Sequence, residues 1–138
     1  MRIFGSCIVL VALIAAAGFC QGAGAASLNP AGVNTQEESI EYKLASIHNG
    51  GRVTKSDPLV AQFRRVLDQL EAKCPESRQQ LADMGVKGQE LLRDENIKES
   101  LLGIFRNWRA SIPDEAKKGE LGECSGILAA YIALRVGG

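Results

Sequence analysis

From Ile127 to Leu134 the chain carries no charge and no polar side chain apart from the Tyr131 hydroxyl. This run lies inside Gly119–Val136, GELGECSGILAAYIALRV, and constrains the fold more than any other stretch. It is too short to cross a bilayer, which takes about 20 apolar residues. A helix that is apolar on every side belongs inside a folded core. The expectation is therefore a C-terminal helix at the centre of a bundle. At helical spacing Leu121, Cys124, Ile127, Leu128, Tyr131, Ile132, Leu134 and Val136 cover a broad arc. Ala129, Ala130 and Ala133 form a small-residue face against which a neighbouring backbone can come close.

The opposite end of the chain carries an address. Arg2 precedes a nearly unbroken apolar run from Ile3 to Phe19, and the small residues Gln21 to Ala26 follow. Ala23-Gly24-Ala25 fits the small-x-small cleavage rule, so residues 1–25 read as a signal peptide, with cleavage after Ala26 as the second choice. A lipoprotein signal at Cys20 is disfavoured, because the residue before it is the bulky Phe19. Residues 26–34 read as a flexible leader and residues 35–138 as one helical domain.

Cysteine usage agrees with export to a periplasmic or secreted location. Cys7 and Cys20 leave with the signal, and Cys74 and Cys124 remain as an even pair. No C-x-x-C redox spacing is present, so a structural bridge between Cys74 and Cys124 is expected. Closing a loop of that length is worth about 4 kcal/mol in the chain-entropy model.

Between these ends the sequence predicts four more helices. The first opens at Thr35 with Glu38 completing a capping box, buries Ile40, Leu44 and Ile47, and ends at His48 before Asn49-Gly50-Gly51. The second has Asp57 as its cap and Pro58 in the first turn, runs to Cys74, and carries an outer Arg64–Asp68 pair. Its inner stripe is Leu59, Val60, Phe63, Val66, Leu67 and Leu70. The third opens at Ser77 with Gln80 as box partner and buries Leu81, Met84, Leu91 and Leu92; Gly85 is a point where it could split. The fourth opens at Asn96 with Glu99 as partner and buries Ile97, Leu101, Ile104, Phe105, Trp108 and Ile112. No strand-like alternation of useful length appears, and the fold class is all-α.

Composition removes several function classes. Sixteen basic residues balance sixteen acidic ones, which gives no steering toward nucleic acid or an anionic membrane. Aromatic residues make up only 5%, which argues against base or sugar stacking. No cofactor motif occurs, and one histidine with two bridged cysteines leaves no zinc ligand set. His48 is the single candidate for a catalytic imidazole, but it sits at a helix end where a surface role suits it. Gly85-Val86-Lys87-Gly88 matches a phosphate-clamping GxxG in letters without the strands of that module. Asp83, Glu90 and Glu41 are the carboxylates that a glycosidic hydrolase would draw on.

The one surface that stands out is the flank of the fourth helix. Lys98, Leu102, Arg106 and Arg109 share a stripe beside Trp108, basic with one apolar residue. Such a stripe suits an acidic partner, and Trp and Arg are enriched at binding hot spots. The leading expectation is an exported, non-enzymatic protein-binding module of the interaction, inhibitor or immunity type, whose partner is another envelope or secreted protein. A carboxylate-based cell-envelope hydrolase and a periplasmic stress chaperone are the alternatives.

Overall fold

The computed structural model describes residues 38–138, and these form one compact unit. Signal cleavage, the leader and the Thr35 cap concern residues outside the described ones. The described residues contain five helices: α1 Ile40–Asn49, α2 Pro58–Glu71, α3 Arg78–Asp94, α4 Leu101–Ala110 and α5 Cys124–Gly137. Among them there is no strand.

Local chemistry sets most of the ends. Ser39 accepts from the Tyr42 N–H and starts α1, and Gly50 ends it at φ 72°, with N–H bonds from Gly50 to Ile47 and from Gly51 to Ser46. Asp57 Oδ1 accepts from the Leu59 N–H at 2.8 Å, with Pro58 behind it. Ser77 and Gln80 form the reciprocal box expected for α3. The expected start at Asn96 is wrong. Asn96 takes φ 60°, its N–H and that of Ile97 cap the last carbonyls of α3, and Ser100 caps α4 instead through the Gly103 N–H. An asparagine tolerates the left-handed region and so closes a helix as readily as it opens one. Helix α2 also stops at Glu71, one turn before Cys74.

Gly85 does not split α3. A Cβ there would lie 2.2 Å from Phe105 Cζ, so the missing side chain lets α3 and α4 pack closely. Leu91, expected inside, is 46% exposed.

Trp108, Phe63 and Phe105 are the largest fully buried side chains. Phe63 meets Phe105 edge-on with centroids 5.8 Å apart, and Phe105 leans on Trp108 at 6.0 Å. Trp108 Nε1 donates to the Cys124 carbonyl at 3.0 Å, which satisfies its polar atom inside the core. Helices α3 and α4 each pack against all the others, whereas α5 rests on α3 and α4 alone.

The C-terminal helix is therefore a cover and not the centre. Leu128 and Cys124 are buried as expected, but Tyr131 is only half-buried and Leu134 is 76% exposed. The physical reason lies in its inner face. Tyr131 donates to Glu99 Oε1, and Arg135 Nε donates to Glu99 Oε2 at 3.0 Å, so polar groups fasten α5 to the start of α4. Cys74 and Cys124 are bonded, which ties the start of α5 to the end of the α2 segment.

A second polar knot joins the other helices. Arg78 of α3 bonds Glu41 of α1 at 2.6 Å, Glu71 of α2 at 2.9 Å, and Asp68 of α2. Partial burial pulls the Arg78 pKa down, but Asp68, Glu71 and Glu41 outweigh it and hold it above its ordinary value. Asp68 is thus drawn to Arg78, away from the expected pairing with Arg64.

A basic groove between α2 and α4

The stripe expected on α4 is broken up by the fold. Leu102 is 5% exposed, and its backbone N–H donates to His48 Nδ1 at 3.4 Å, so the end of α1 covers it. Trp108 is wholly buried. Lys98 precedes α4 and lines a different depression with Arg93 and Ser100. Arg106 and Arg109 are the members that stay together.

They meet a partner row that α2 supplies. Gln62, Arg65, Val66 and Gln69 follow the i, i+3, i+4, i+7 spacing, and Arg106 and Arg109 face them across an open groove of about 220 Å³. The Phe63–Phe105 contact beneath fixes the two helices side by side. None of the six lining residues is acidic, and three are arginines.

Each arginine is held differently. Arg106 Nη2 donates to Gln62 Oε1 across the groove at 2.6 Å. Arg109 Nη1 donates to the Ile112 carbonyl at 3.0 Å and Nη2 to Asp114 Oδ1 at 2.5 Å. Its Nε is buried with no hydrogen-bond partner among the described residues. The Arg109 guanidinium holds the exposed Asp114 carboxyl below its usual range. Two further contacts on this end fix the following segment: Lys73 Nζ donates to the Asp114 and Ala116 carbonyls at 2.5 and 2.7 Å.

A guanidinium is a planar fork suited to carboxylate, and several in one water-exposed groove attract an acidic segment while leaving the groove open. The signal for Arg106 and Arg109 was present in the helical stripe. Arg65 was missed, because no local pattern says which side of α2 faces α4.

The carboxylates weighed for hydrolysis have other occupations. Glu41 bonds Arg78, Glu90 bonds Lys87 at 3.3 Å, and Asp83 accepts from Gln79 at 2.7 Å. Asp83 does line a depression with Glu76 and Glu123. A distinct cluster surrounds Glu99. Burial pushes its pKa up, but donation from Tyr131, Asn107 and Arg135 outweighs this and holds it below the usual carboxylate value. Tyr131 is raised by burial and by the same bond. A general acid needs the opposite direction at its carboxylate. Cys74, Glu76 and Cys124 place their ligand atoms within 4.8 Å of one another, but both sulfurs are engaged in the disulfide.

No protein-family model, curated protein or solved structure matches this chain.

Proposed function

We propose that this chain is an exported, non-enzymatic binding module that holds an acidic segment of another protein in the α2–α4 groove. The observation that carries the reading is the convergence of Arg65 and Arg106 on one open groove whose lining contains no acid, beside Arg109, which is paired with Asp114. Export is supported by the N-terminal pattern and by a disulfide among the described residues, which include no helix long and apolar enough to cross a membrane.

The test uses fluorescently labelled polyglutamate as the acidic probe and the variant Arg65→Glu/Arg106→Glu. Wild type should bind with an affinity that falls as salt rises, and the double variant should lose binding by about tenfold or more at unchanged melting temperature. Equal binding by both proteins would return these arginines to an ordinary solvated surface.

A further inference from the structure

One arginine of the groove already holds a carboxylate. Arg109 lines the groove from α4, and its Nη2 donates to Asp114 Oδ1 at 2.5 Å. Asp114 is not itself part of the lining; it reaches Arg109 from the segment that follows α4. Arg106 bonds the neutral Gln62, and neither it nor Arg65 meets a carboxylate among the described residues. A carboxylate on a guanidinium is the same chemistry that an acidic ligand brings to this groove.

The carboxylate side of the contact is loose. The Asp114 side chain is 88% exposed, whereas that of Arg109 is 18% exposed. An ion pair with one member so open to water adds little to stability, so one carboxylate is readily traded for another. Arg109 also holds the Asp114 carboxyl below its usual range, so Asp114 is charged wherever an acidic ligand is charged.

Neither member needs the contact to stay in place. Arg109 Nη1 donates to the Ile112 carbonyl, which seats the guanidinium without Asp114. The backbone of the segment is fastened separately. Lys73 Nζ donates to the Asp114 and Ala116 carbonyls, and the Gly119 N–H donates to the Lys73 carbonyl at 2.9 Å. Ile112 and Ala116 are buried on either side of Asp114. Asp114 is thus a mobile side chain on a fixed stretch of backbone, and a change of rotamer is enough to release Arg109.

We infer that Asp114 is a built-in competitor of the acidic ligand, and that Arg109 exchanges it for a carboxylate of the partner on binding. This rests on the groove holding an acidic segment, as proposed above. A carboxylate tethered to the same chain acts at a high effective concentration, which a lone carboxylate in solution does not match. A segment already anchored on Arg65 and Arg106 is tethered in the same sense, and its next carboxylate competes with Asp114 on equal terms. The device therefore favours runs of acidic residues over single ones.

Fluorescence anisotropy with labelled polyglutamate tests this on wild type and Asp114→Ala. The variant should bind about threefold tighter or more, because Arg109 is open without displacement. Glu115→Ala removes the same charge from the next exposed position and should change affinity far less. An equal gain in the two variants overturns the inference, since lost negative charge alone then accounts for it. In an Arg109→Gln background Asp114→Ala should have no effect, and a persisting gain overturns the inference as well. Circular dichroism melting checks that the variants stay folded; if Arg109→Gln does not, the comparison of Asp114→Ala with Glu115→Ala still decides. Equal or weaker binding by Asp114→Ala overturns the inference and leaves the groove as an acid-binding site. Absence of binding by both wild type and Asp114→Ala overturns the two together.

Discussion

Glu99 does more for the fold than its place before α4 indicates. Read in sequence it completes a capping box with Asn96; in the structure its two oxygens gather Tyr131, Asn107 and Arg135 from two helices. Its pKa lies below the ordinary 4.5. A group with a depressed folded pKa contributes stability that is present above the unfolded value and lost as pH falls through the folded one. Glu99→Gln should therefore melt below wild type at pH 7. That gap should close as pH drops below about 4.5, where the wild-type carboxylate takes up its proton. Thermal melts of both proteins across this range check it; a gap of constant size would mean that the hydrogen bonds matter and the charge does not. Sequence reading could not find this role, because acceptors 32 and 36 residues before their donors leave no local trace. For the same reason Leu102, which looked free of the core on its own helix, is covered by His48 from a segment 54 residues away.

Two helix starts were legible, Asp57 with Pro58 and Ser77 with Gln80, but the equally paired Asn96 and Glu99 misplaced a third. Asn96 closes α3 in the left-handed region and Ser100 caps α4, a division that the paired Asn96 and Glu99 do not reveal. The placement of α5 failed for a different reason. Hydropathy reports that both faces of a helix are apolar, but not that only one of them is covered. Glycines within helices make the same distinction measurable. Gly85→Ala would drive a Cβ into the buried Phe105 ring, held in turn by Phe63 and Trp108. It should cost about 1–3 kcal/mol as overpacking, more than the helix propensity gained. Gly126→Ala meets open space in the first turn of α5 and should gain stability only slightly, by about 0.5 kcal/mol at most. Urea unfolding of the two variants checks both signs, and equal shifts would contradict the packing described for α3.

For the whole molecule the decisive link is the bond between Cys74 and Cys124, 50 residues apart. Reduction should lower unfolding stability by about 4 kcal/mol if the loop-entropy model holds, because an open chain has more conformations to lose. Urea midpoints with and without a phosphine reductant measure it; a loss under about 1 kcal/mol would place the stabilisation in the helical core alone. This bond encloses α3, α4 and the mostly exposed segment from Ser111 to Glu123, which carries Lys117 and Lys118. That ring has a consequence for resistance to cutting. A protease that cuts after Lys117 or Lys118 opens the backbone but frees no fragment, since α5 stays covalently attached through Cys124 and is still fastened by Arg135 to Glu99. The nicked protein would run as one species until reduced and as two afterwards, so a single cleavage in this exposed stretch is an injury the molecule can carry without coming apart.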